Sequence, residues 1–162
     1  MITFSRTLLV GAEFLNDTTL RFFGTLEDHI YAMEIQMDVR VGDGVIAAIQ
    51  GRMKRYTTPV CPKAVDVLQQ AVGISLREEG WISRVNREVG RKGCQHFGEI
   101  LIECGRCLDS ARLTQALGEK LKADPSDPSA PSVLIARSWV EEHAEVQGFC
   151  LARPGEKNSH AR

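Results

Sequence analysis

The sequence has almost no surplus of charge. Twenty Lys and Arg against 21 Asp and Glu leave a formal net charge of −1, whereas a nucleic-acid binder carries a basic excess to neutralise phosphates. No nucleic-acid partner is expected. No apolar run approaches the roughly 18 residues that a membrane span requires, so no membrane association is expected either. Residues 1–14 lack the basic-then-apolar layout of a secretory leader, and the expectation is a cytoplasmic protein. Neither an internal repeat nor the Gly-rich loop of a nucleotide site can be found.

What is there is an ordinary globular composition, 43% apolar and 25% charged. A chain of 162 residues is one domain by length and buries roughly 70% of its unfolded surface, so it needs neither a metal nor a disulfide to fold. The five cysteines, Cys61, Cys94, Cys104, Cys107 and Cys150, are odd in number. In a reducing compartment such residues act as metal ligands, reactive groups or core more often than as disulfides.

The chain reads as strands first and helices afterwards. Tyr31 to Val41 alternates Tyr31, Met33, Ile35, Met37, Val39 and Val41 with polar residues, the period of a half-buried strand. Gly42-Asp43-Gly44 marks a turn, and Val45, Ala47, Ile49 and Met53 continue as a second strand. Thr18 to Leu26 adds a third, and Phe4 to Val10 a weaker fourth. Beyond Pro62 the period becomes helical. Helices are predicted from Pro62 to Gly73, from Trp81 to Val89, and as one long element over residues 95–120.

The expected fold class is α+β: an antiparallel sheet of three to four strands followed by helices packed on one face. Residues 1–122 form the domain and 123–132, rich in proline and serine, a linker. Residues 133–153 are read as a C-terminal helix and return segment packing on the domain, and 154–162 as a disordered tail.

Chemistry concentrates at Gly93-Cys94-Gln95-His96. A thiol at a helix N-terminus meets unpaired N–H groups and the positive end of the dipole, which favour the thiolate, the form that binds metal or attacks electrophiles. Cys94 and Cys61 both fit that placement. His96 adds a nitrogen ligand suited to zinc or iron. Cys150, Glu99, Glu103 and Cys107 are the candidates for a fourth ligand. Cys104 reads as core filler, because Cys104-x-x-Cys107 lies within a helical pattern and has no second pair. His29, His143 and His160 are assigned no site role.

These segments resemble the bacterial domain of unknown function numbered 2889, whose pattern is Pro-Tyr-x-x-Cys-Pro, a helix ending in Val-Gly, Gly-Trp or Gly-Phe, and Gly-Cys-Thr-His-Leu. The chain has Thr58-Pro59-Val60-Cys61-Pro62, Val72-Gly73, Gly80-Trp81, Gly93-Cys94-Gln95-His96-Phe97 and a late Gly148-Phe149-Cys150. Gln95 and Phe97 replace the family's threonine and leucine, and the tyrosine just before the first cysteine is missing unless Tyr56 stands in. More distantly, the layout is similar to iron–sulfur scaffold proteins of the NifU type, which have cysteines entering helices after an antiparallel sheet and bind zinc or a cluster. Their additional cysteine, between the counterparts of Cys61 and Cys94, has no equivalent here.

The leading expectation is a metal-binding accessory protein that assists a partner metalloenzyme or delivers a metal or cluster. Cys61, Cys94, His96 and Cys150 would hold zinc or iron, with an iron–sulfur cluster as a variant, and a protein would be the partner. One alternative is a metal-free assembly module whose partner surface is the proline-rich linker and the Trp139 helix. The other is an enzyme with Cys94 as nucleophile and His96 as base.

Overall fold

The computed structural model describes residues 1–123 and 132–143. The chain divides into two compact units, Met1–Leu108 and Asp109–Arg162. In the first unit, strands β1 (Arg6–Asn16), β2 (Thr19–Asp28), β3 (Ala32–Arg40) and β4 (Ile46–Arg55) pair in sequence order as an antiparallel meander. Helices then follow on one face, so the fold is α+β.

The sheet buries what its alternation promises. Leu20, Phe22 and Leu26 of β2 and Met33, Ile35, Met37 and Val39 of β3 are all buried. Register pairs them across one face: Leu26 with Met33, Phe22 with Met37, Leu20 with Val39. β4 departs from the expected stripe. Between Asp38 and Val39 the partners step from Ala48 to Ile46, leaving Ala47 without a partner. One extra residue in a strand reverses the facing of everything before it. Ile46 and Ile49 therefore fill the core, while Ala47 is exposed and Val45 only half-buried.

β1 extends further than its patterning indicates. It is an edge strand whose inward residues Leu8, Val10 and Phe14 are only half-covered. The inner face it shares with β2 ends on a polar pair, because Arg6 stands opposite Asp28.

The helices are shorter and more broken than their periodicity suggests. The segment after β4 is a 3-10 turn (Cys61–Lys63), one turn of α-helix α1 (Ala64–Val67) and a second 3-10 turn (Leu68–Ala71). α2 (Trp81–Val85) passes into a π turn over Asn86–Arg91. The expected long helix is two, α3 (Gln95–Arg106) and α4 (Leu108–Ala123). At Cys107 the backbone rotates to ψ −3° and its N–H shares the carbonyls of Glu103 and Cys104, tightening the last turn. The hydrophobic period carries on across that break, which is why it cannot be read from the pattern.

Two glycines let α3 approach the sheet. Gly24, Ile35 and Gly51 lie in one row across β2, β3 and β4. A Cβ on Gly24 would stand 2.3 Å from Ile100 Cγ2, and one on Gly51 would lie 3.3 Å from Phe97 Cε1. α3 thus beds onto the sheet through Phe97, Ile100 and Cys104, all fully buried.

In the second unit, α5 (Ser132–Glu142) carries Trp139, buried between the guanidinium of Arg112, 5.6 Å from its ring centroid, and the stacked ring of His143 at 3.9 Å. The C-terminal helix is therefore present, but the linker residues 124–131, the return segment and the tail lie outside the described residues.

Candidate metal-binding site

The arrangement begins with a buried carboxylate. Asp28 ends β2, and its Oδ1 accepts the N–H groups of Ile30 and Tyr31 at 2.8 and 2.7 Å. Those bonds shape the β2–β3 turn. Together with Arg6 they hold the Asp28 carboxyl down at about 2, the Tyr31 N–H contributing most. The Arg6 Nε and Nη2 donate to Oδ2 at 2.9 and 2.8 Å. The side chain of Asp28 is only 1% exposed, so this ion pair closes the inner face of the sheet where apolar residues run out.

α3 brings its first turn over that pair. The remaining reach of Arg6 goes to Glu99 Oε2, 3.4 Å from Nη1, and to His96 Nε2, 3.2 Å from Nη2. Tyr31, aimed by the Asp28 turn, lays its ring against the imidazole at 4.4 Å between centroids. On the other side of the imidazole, Nδ1 lies 3.9 Å from Cys94 Sγ. His96 is thus fixed at both nitrogens and along one face.

Cys94 is placed by close packing. The π turn delivers the carbonyl of Val89 to the N–H groups of both Gly93 and Cys94, at 3.0 and 3.1 Å. Gly93 is needed because a Cβ there would press to 2.8 Å from Val67 Cβ. Cys94 then caps α3 with extended backbone, and its C=O accepts the Gly98 N–H at 3.1 Å. Its sulfur makes no capping bond to the helix N–H groups; it turns to His96 instead.

Cys61 is reached by a different route. It opens a three-residue 3-10 turn, too short to carry a substantial dipole. Hydroxyls take that role: Thr58 Oγ1 lies 3.3 Å and Thr57 Oγ1 3.7 Å from its sulfur. These contacts, led by the Thr58 side chain, bring the Cys61 thiol down to about 7. Thr57 Oγ1 is also 3.4 Å from the Tyr31 hydroxyl. Cys61 and His96 are therefore linked through Thr57 and Tyr31.

The structure brings Cys94 and His96 together. Among the described residues, no group of three or more His, Cys, Asp and Glu side chains is arranged to hold a metal ion, so Cys61 does not join them in such a group. Cys150 lies outside the described residues. The other candidate ligands are engaged: Glu99 with Arg6 and Gln95, and Glu103 with Arg106. Burial raises the Cys107 thiol and pushes the Cys104 thiol up to about 12, in keeping with Cys104 as core. Of the basic residues that precede Cys94 in the chain, Arg84 pairs with Glu78, and Arg87 and Lys92 with Glu88.

Arg6, Asp28 and Tyr31 are members of this cluster that sequence reasoning did not single out. Their signal is positional. An arginine opening an edge strand and an aspartate ending its neighbour become informative only once the register that pairs them is known.

A family model described as a protein of unknown function (DUF2889) matches residues 14–108, ending where the first compact unit ends. No curated protein and no solved structure matches the chain.

Proposed function

The chain belongs to the DUF2889 family of proteins of unknown function, and from that premise we propose that it is a metal-binding accessory protein whose site is built on Cys94 and His96. The observation that carries the reading is the 3.9 Å between Cys94 Sγ and His96 Nδ1. Tetrahedral zinc with a thiolate at about 2.3 Å and an imidazole at about 2.0–2.1 Å separates those atoms by about 3.6 Å. The pair is thus set a few tenths of an ångström from one edge of a coordination tetrahedron, and both residues are half-exposed.

Two protein ligands leave two positions open. A site of that kind suits transfer by ligand exchange better than permanent storage, since the receiving protein supplies the missing donors. Apolar side chains are exposed on the segments that form this end of the sheet: Phe4 at 54%, Ile30 at 49% and Val60 at 64%. They are the proposed docking surface for a protein partner. Cys61, with its lowered thiol, and Cys150, named on sequence grounds, are the candidate additional ligands. Thiolate and imidazole suit zinc or iron. The likeness to cluster scaffolds rests on layout, and the cysteine those proteins carry between their counterparts of Cys61 and Cys94 is missing, so a single ion is the favoured cargo.

A cysteine-dependent enzyme is the weaker reading. The base of such a pair is oriented by an acceptor on its far nitrogen, and His96 Nε2 meets a guanidinium instead.

The test is metal analysis of anaerobically purified protein together with Co²⁺ titration. The reading expects about one ion per chain and a cobalt–thiolate absorption band that disappears in Cys94→Ser and His96→Ala. Loss of metal in Cys61→Ser or Cys150→Ser identifies the further ligand. Protein that purifies without metal and yields no Cys94-dependent cobalt band sinks the idea.

A further inference from the structure

Resting on that metal-binding reading, the geometry points to Arg6 as an internal competitor of the metal for His96. A neutral imidazole has one N–H and one lone pair in the ring plane. Arginine has donors only, so the 3.2 Å contact from Arg6 Nη2 is a hydrogen bond only if Nε2 supplies the lone pair. The ring proton then sits on Nδ1 and faces Cys94 Sγ at 3.9 Å. In that tautomer neither ring nitrogen is available to an ion. Loading the site at Nδ1 requires the proton to leave that nitrogen and a proton to be taken up at Nε2, where it opposes the donors of Arg6. The ring stays neutral, the proton lost overall is that of the Cys94 thiol, and Arg6 must withdraw.

The surroundings give Arg6 somewhere to remain. Its Nε and Nη2 are already held by Asp28 Oδ2 at 2.9 and 2.8 Å, and its Nη1 reaches Glu99 Oε2 at 3.4 Å. The guanidinium is only about one-third exposed, and Phe4 lies against it with its ring centroid 5.6 Å away. The nitrogen that must turn away from Nε2 is Nη2, which Asp28 also holds, so withdrawal disturbs that half of the ion pair while Nε keeps its bond to Oδ2. Arg6 is a positioning residue: it touches no metal, but it sets which ring nitrogen carries the proton. A latch of this kind keeps the empty site from taking up ions indiscriminately, and a docking partner that engages Arg6 or Glu99 would open it.

The experiment has two arms. Nitrogen-15 NMR of metal-free wild-type protein is expected to place the His96 proton on Nδ1, and after Zn²⁺ loading on Nε2; a proton already on Nε2 in the metal-free protein overturns the latch. Zn²⁺ competition against a chromophoric chelator is expected to show Arg6→Met binding at least tenfold more tightly than wild type. Equal or weaker binding by Arg6→Met, with Cys94→Ser still abolishing binding in both backgrounds, overturns the latch while leaving the metal site standing. No Cys94-dependent binding in either protein overturns both. The NMR arm needs no substitution and decides the matter even if Arg6→Met fails to fold.

Discussion

At the N-terminal end of α3, Cys94 is half-exposed and its sulfur meets an imidazole; near the C-terminal end, Cys104 is fully buried over Gly24 and burial pushes its thiol up to about 12. One helix thus presents a thiol to chemistry at one end and uses another as packing at the other. Both cysteines have a glycine beside them, Gly93 and Gly105, and what separates them is the sheet beneath. Under the first turn the inner face ends in the Arg6–Asp28 ion pair. Under the last turns it is Gly24, with Ile35 beside it. Cys61, across the Tyr31–Thr57 link, belongs with the exposed end: its thiol is lowered to about 7 by the side chains and backbone of Thr58 and Thr57, the Thr58 hydroxyl first.

The largest expected contrast is in alkylation. At pH 7 about half of Cys61 is thiolate, while a thiol near 12 is ionised only about once in 10⁵. Iodoacetamide followed by peptide mass spectrometry should label Cys61 on the order of 10³-fold faster than Cys104 in the folded protein, closing to a few-fold in denaturant. Comparable rates in the native protein would break the distinction between a reactive end and a packing end.

The packing end should prove the more sensitive to added volume. Gly24→Ala places a methyl 2.3 Å from Ile100 Cγ2 and 2.9 Å from Cys104 Sγ, between a buried strand and a buried helix. Overpacking at such a position costs about 3 kcal/mol, read as a lower denaturant midpoint with an unchanged slope. Gly11→Ala is the control, because a Cβ there meets nothing within 4 Å. If both variants unfold alike, α3 is not seated through the glycine row, and the placement of Cys94 and His96 loses its support.

Much of this fold is written in local pattern. Period-two alternation identifies β2 and β3, and a change of period marks where the helices begin. Cys94, His96 and Cys61 are visible as residues of the right chemistry near helix starts. What escapes is set by long-range geometry. The bulge at Ala47 reverses part of β4 without altering its composition, and the break at Cys107 needs neither proline nor a left-handed glycine. The partners of His96 lie 90 residues away at Arg6 and 65 away at Tyr31, so only the strand register and the seating of α3 reveal them. The sequence points to a helix terminus as the support of the Cys61 thiol; it draws on two threonines instead, the helix there being broken into single turns.

That last difference sets the smallest and most specific prediction. If hydroxyls lower the Cys61 thiol, replacing Thr58 by valine removes the leading contribution and leaves the Thr58 backbone contact and the weaker Thr57 contact in place. The midpoint of alkylation against pH should then rise from about 7 part of the way toward the ordinary 9.0. The sign follows from the thiolate being the reactive form: the rate climbs as pH rises through the midpoint and levels off above it. Thr58→Val should therefore react several-fold more slowly than wild type at pH 6.5, and at nearly the same rate at pH 10. A helix-terminal origin predicts no such change, because valine keeps the backbone of the turn. An unchanged pH profile would return Cys61 to the helix-start explanation and remove the hydroxyl network from the account of this end of the molecule.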